Sequence, residues 1–150
     1  MKTFFAILLM LVGAAPRSAP AQETADNGVR FLVMDVYADA GTSALAAYQV
    51  EVMATNGLVK IVGVEGGEPA AFRAAPYYDP AAMQSERVVL GAFSLANPDQ
   101  LPRGQVRIAS LHCQVSGPVK PGFVANVTAA ATHGGQPIPI RIAVQERSQK

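Results

Sequence analysis

This chain of 150 residues has one cysteine, no tryptophan and only 15% charged residues. A lone Cys113 cannot close an internal disulfide, so the fold has to rest on its hydrophobic core. No second Cys and no close trio of His, Asp or Glu accompanies it, which leaves a cysteine nucleophile or a zinc site without support. There is no G-x-S-x-G elbow and no serine at a strand-to-helix turn, as a serine triad needs. There is also no D-x-[DN]-x-[DN]-G calcium loop. No catalytic residue, metal ligand or cofactor site is therefore assigned, and the expectation is a protein that is not an enzyme.

Beyond the N-terminus no stretch is long and apolar enough to span a bilayer. At the N-terminus, Lys2 is followed by the apolar run Phe4 to Val12 and then by Ala19-Pro20-Ala21, the pattern of a signal peptide over residues 1–21 with its A-x-A cleavage site. The nine apolar residues are about half of the roughly 20 that a membrane-crossing helix needs. Cleavage before Gln22 leaves 129 residues with ten Lys and Arg against eleven Asp and Glu. The expected product is exported, extracellular or periplasmic, with no membrane insertion after cleavage. Its cations are scattered singly rather than clustered, which argues against nucleic acid as a partner. A chain of this length buries about two thirds of its unfolded surface in one core, so a single domain over 29–146 is expected, between a polar leader (22–28) and a tail (147–150).

What the chain does have is short apolar runs punctuated by Gly and Pro. Val29 to Val36 reads as a first strand. Leu45 to Ala54 and Leu58 to Glu65 flank Thr55-Asn56-Gly57, and Asn-Gly between two apolar runs predicts an antiparallel hairpin. Tyr48, Val50 and Val52 alternate with Gln49 and Glu51, as in a half-buried strand. Glu86 to Leu95 is apolar at nearly every position, which suggests a strand covered on both sides or centrally placed, its β-branched pair and short length arguing against a buried helix. Gln105 to Ser116, Gly122 to Thr132 and Ile138 to Gln145 complete seven strands. In the first of these, Ala109, Leu111, Cys113 and Val115 share one face, so Cys113 is read as a core residue and His112 as outward-facing. Seven short strands without long helical periodicity predict an all-β, antiparallel β-sandwich.

One segment breaks the rhythm. Gly66 to Ser85 is twenty residues long, contains Pro69, Pro76 and Pro80, and shows no alternation long enough for a strand. Asp79 followed by Pro80 reads as an N-cap with proline at the first helical position. Connections of this length are uncommon unless they are functional or disordered. The segment also holds Phe72, Tyr77 and Tyr78, three of the eight aromatics left after cleavage. These three are the candidate ligand-binding residues. Tyr77 and Tyr78, adjacent in an extended stretch, should point to opposite sides, one anchoring the loop and the other facing solvent.

The other polar groups offer less. His133 precedes Gly134-Gly135 in a turn. Glu65, Glu68, Asp79 and Glu86 gather near one end, with nothing to fix the spacing of a carboxylate pair. Asp35 and Asp39 flank Tyr37, and a local side-chain to backbone bond by Asp39 is preferred to a calcium site. Asn126-Val127-Thr128 is formally a glycosylation sequon inside a predicted strand, and nothing is drawn from it.

Several of these features together resemble the cohesin-like and bacterial carbohydrate-binding-module superfamily. They are the strand Tyr48-Gln49-Val50-Glu51-Val52, the strand Val59 to Val64 entering a Gly-rich turn, and Tyr78-Asp79-Pro80 in the following loop. Arg87 to Phe93 and the long strand after Gly104 (Val106, Ala109, Leu111, Cys113, Val115) continue the likeness, which covers roughly residues 29–145. Cys113 departs from it, standing where a larger hydrophobe is common. The resemblance implies a jelly-roll-like sandwich that binds without catalysis. Cohesins hold a protein module on a flat sheet face, and carbohydrate-binding modules hold polysaccharide on aromatic platforms, for which the absent tryptophan is the favoured residue. The alternative is a structural or assembly subunit of the cell envelope that pairs through an exposed sheet edge.

Overall fold

The computed structural model of the chain describes residues 28–148. The expected signal peptide, most of the leader and the end of the tail lie outside the described residues. Among the described residues there are seven strands: β1 (Val29–Asp39), β2 (Ala47–Ala54), β3 (Leu58–Gly66), β4 (Arg87–Phe93), β5 (Gln105–Ser116), β6 (Phe123–Ala131) and β7 (Arg141–Glu146). β1 runs three residues past its expected end, to Asp39. β7 starts three residues late, after Pro139, which has no N–H to give to a ladder.

The strands form two antiparallel sheets, ordered β3-β5-β1-β7 and β4-β2-β6. The fold is all-β, a β-sandwich of two layers. Each of the six links between successive strands passes from one sheet to the other. The hairpin expected at Thr55-Asn56-Gly57 is therefore absent, because β2 and β3 belong to different sheets. Positive φ at Gly57 (78°) turns the chain across the sandwich instead of back on itself. Both sides of β2 are already taken, by β4 and β6, so no edge is left for β3 to pair with. Asn56 fixes the corner: its amide Nδ2 donates to the Lys120 carbonyl (3.1 Å) and its Oδ1 accepts from the Gly122 N–H. The Asn-Gly signal is real as a turn, but it does not say which strand the turned chain will join.

Alternation fills the space between the sheets. Met34, Val36 and Ala38 from β1 and Ile108, Leu111, Cys113 and Val115 from β5 face Tyr48, Val50 and Val52 from β2 and Val88 and Leu90 from β4, all buried. Each buried Val, Leu, Ile or Met among them contributes roughly 1.5–3 kcal/mol, enough for a core of this size to hold without cross-links. Cys113 lies in this core, as the alternation implied. Contrary to expectation, β4 is an edge strand and is not covered on both sides. Val88 and Leu90 point inward, whereas Phe93 on its other face is 60% exposed. The small Gly91 and Ala92 between them blur the alternation in sequence.

The segment between β3 and β4 packs along the sandwich, with short 3-10 turns at Ala70–Phe72 and Pro80–Ala82. Asp79 caps the second, its Oδ1 accepting from the Ala81 N–H at 2.9 Å, as its place before Pro80 predicts. The loop can lie this close only because Gly67 has no side chain: a Cβ there would come within 2.4 Å of the Arg107 carbonyl oxygen. The loop also covers the free edge of β3, where Ile61 exchanges backbone hydrogen bonds with Gln84 and Ser85, both at 2.8 Å.

Candidate functional site

The three aromatics of the long loop go to three different environments. Phe72 is 2% exposed and meets Tyr48 edge-to-face, with ring centroids 5.2 Å apart. It is a core residue and has no surface to offer a ligand, contrary to its place in the expected binding loop. Tyr78 is half-buried and packs against the same core. Tyr77, its neighbour, points the other way and is 75% exposed. The division between the adjacent tyrosines follows from the opposite directions of successive side chains in extended backbone.

Tyr77 is held at the edge of the smaller sheet. Its N–H donates to the Gly91 carbonyl (2.7 Å) and its own carbonyl accepts from the Gly91 N–H (2.9 Å), which makes one antiparallel bridge to β4. This places its ring beside that of Phe93, nearly parallel at 10°, with centroids 6.4 Å apart. Next to the two rings a groove of about 320 Å³ crosses the outer face of β4-β2-β6. Its floor is made of small residues, Ala47, Gly91, Ala129 and Ala131, with Gln49 as a polar group. Two exposed rings beside a floor without large side chains give a ligand apolar area and room to approach the sheet. Tyr77 adds a hydroxyl at the rim.

The opposite outer face is built differently. Asp35, Ser110 and Glu65 lie in one row across β1, β5 and β3. Asp35 is 6% exposed and accepts from Arg147 through both carboxylate oxygens, at 3.0 and 2.6 Å. The Ser110 hydroxyl donates to Asp35 (2.7 Å) and its oxygen accepts from Arg107 and Arg147, each at 2.7 Å. Burial alone raises the Asp35 carboxyl. The hydrogen bonds from Arg147 and Ser110, with the charges of Arg147 and Arg107, outweigh that and hold it below its ordinary range. This is a poor catalytic group. A nucleophilic serine needs a base to take its proton, but a carboxylate of lowered pKa is a weak base, and two guanidiniums already occupy the serine lone pairs. The network closes on itself and ties the residue after β7 to the centre of the sheet.

Asp39 and His112 are accounted for by local partners. Asp39 accepts from the Gly41 N–H at 2.9 Å, the local bond expected of it, and from Arg141 at 2.7 Å. His112 is outward-facing but only half-exposed, with its Nε2 3.0 Å from Glu65. His133 is exposed in its turn. Burial pushes the Cys113 thiol up to about 12, which disfavours the thiolate that a nucleophile would need. Among the described residues no three His, Cys, Asp or Glu side chains come together as a metal site would require.

Comparisons with family models, with curated proteins and with solved structures find no match for this chain. Of the exposed aromatic pair, sequence reasoning found Tyr77 and missed Phe93. The signal for Phe93 was present: Val88, Leu90 and Ala92 share one face of β4, so Phe93 has to share the other. It was masked because almost every residue of that strand is apolar.

Proposed function

We propose that the chain is an exported, non-catalytic binding module that takes its ligand on the outer face of β4-β2-β6. The observation that carries this reading is the exposed Tyr77–Phe93 pair beside a floor of alanine and glycine. Large exposed aromatics are unfavourable in water, and where two meet beside a groove they mark a recognition surface. The sandwich is read as a jelly-roll-like member of the cohesin and bacterial carbohydrate-binding-module type. The pairing of strands distant in sequence within two antiparallel sheets is compatible with that architecture. The ligand is a protein module or a polysaccharide met outside the cell or in the periplasm, and no cofactor or nucleic acid takes part.

Assembly through a sheet edge has less in its favour. The β3 edge is covered by Gln84 and Ser85, and the β4 edge is bridged by Tyr77 at Gly91. Two of the four edges are thus blunted against strand addition.

The test is a pull-down of the Gln22–Lys150 form from envelope and secreted fractions, run beside a panel of insoluble polysaccharides. Tyr77→Ala and Phe93→Ala should abolish retention of either ligand class. Ala129→Arg, which fills the groove floor, should do the same. A glycan stacked on Tyr77 should survive Tyr77→Phe, because the ring face is kept. Saturable binding that none of these substitutions alters would overturn the assignment of this face.

A further inference from the structure

Nine large hydrophobic side chains are well exposed among the described residues, and six of them lie at one end of the sandwich, away from Tyr77 and Phe93. Val29 and Leu58 stand on either side of Ser116 on the outer face of the larger sheet. Phe31, 65% exposed, is in the next row with Gln114 and Lys60. Val119 in the β5–β6 loop, and Met53 and Val124 at the ends of β2 and β6, continue the apolar surface around the tip.

Among the described residues, charge at this end has one prevailing sign. Both lysines of the described residues, Lys60 and Lys120, are here, together with Arg30 and Arg87, against the carboxylates of Glu51 and Glu86. Arg87 is paired with Glu51. Arg30 donates to the carbonyls of Gly117 and Val119 and so braces the loop that presents Val119. Lys60 and Lys120 are exposed and make no ion pair among the described residues.

We infer that this end of the sandwich rests on an anionic lipid surface. Exposed apolar side chains interleaved with lysines match a bilayer interface, where the apolar groups enter among the headgroups and each cation contributes about 1 kcal/mol against negative lipid. A second copy of the chain fits less well, because a symmetric contact through this end would bring Lys60 and Lys120 towards their own equivalents. The chain also enters the sandwich here, through Gly28, whose carbonyl accepts from the Gly117 N–H. A sandwich seated this way holds Tyr77 and Phe93 at its far end, clear of the membrane. The inference does not rest on the recognition reading, since neither ring takes part.

The experiment is co-sedimentation of the Gln22–Lys150 form, which contains every strand and the whole core, with vesicles of phosphatidylglycerol and phosphatidylcholine in equal parts. Vesicles of phosphatidylcholine alone serve as the reference. Binding to the anionic vesicles is expected to be at least about tenfold tighter and to fall in about 1 M salt, where charges are screened beyond roughly 3 Å. Lys60→Glu with Lys120→Glu should lower it about tenfold or more. Phe31→Ser with Leu58→Ser should lower it as well. The charge variants alter no packed side chain, so they decide the matter even where the serine variants fold poorly. Tyr77→Ala should bind vesicles like the parent. Three outcomes would overturn the inference: no binding to anionic vesicles, equal binding to both kinds, or self-association on size exclusion that the lysine substitutions strengthen.

Discussion

The centre of the larger sheet's outer face and the groove on the smaller sheet treat their side chains in opposite ways. At the centre of the larger sheet, Asp35, Ser110, Arg107 and Arg147 bond to one another, and that stretch of the face is filled by its own hydrogen bonds. On the smaller sheet, Tyr77 and Phe93 are exposed beside a bare floor. Polar groups that find partners inside the molecule stabilise the fold, whereas apolar groups left outside are available to something else. The contrast separates a stretch of surface that holds the fold together from the exposed aromatic surface on which binding is proposed.

The largest effect is expected beneath the binding face. Phe72→Ala removes a buried ring from the core and should cost about 3 kcal/mol or more, read from the urea midpoint. On the structural face, Asp35→Asn leaves Arg107 and Arg147 without their buried counter-charge and should cost about 2 kcal/mol by the same measurement. The pH dependence sharpens this. The Asp35 carboxyl is lowered from its ordinary 3.8 in the folded protein, so the stability it contributes is fully present above that value and is lost as pH falls through the folded one. Unfolding midpoints should therefore drop as the pH is taken below about 4, and part of that drop should vanish in Asp35→Asn. Tyr77→Ala and Phe93→Ala should change stability by less than about 1 kcal/mol while removing ligand binding. If they destabilise as much as Asp35→Asn, the second face is structural too and the comparison collapses. Smallest of all, Cys113 should resist thiol reagents in the native protein and react fully in urea; fast native labelling would show that the core opens at β5.

Much of this was legible from residue order. The alternation of Ala109, Leu111, Cys113 and Val115 gave the inward face of β5, and Asp79 before Pro80 gave a capped turn. The opposed tyrosines followed from extended backbone alone. Phe72 was misplaced because a loop aromatic reads as exposed until the core position it fills is known. The role of Asp35 was also out of reach, since its partner Arg147 lies 112 residues away and the calcium reading considered only near neighbours.

The sequence by itself determined the all-β class, which side of β2 and of β5 turns inward and, with the latter, the burial of the single thiol, because side-chain direction is a local property of two-residue periodicity. Only the tertiary structure decided which strands became neighbours. Alternation assigns faces but not partners, so Asn56-Gly57 could lead equally well to a hairpin or to a crossing between sheets. The filled edges of β2 chose the crossing. The same choice brought Tyr77 to Gly91 and so set Tyr77 beside Phe93, creating the groove that gives the binding reading its place.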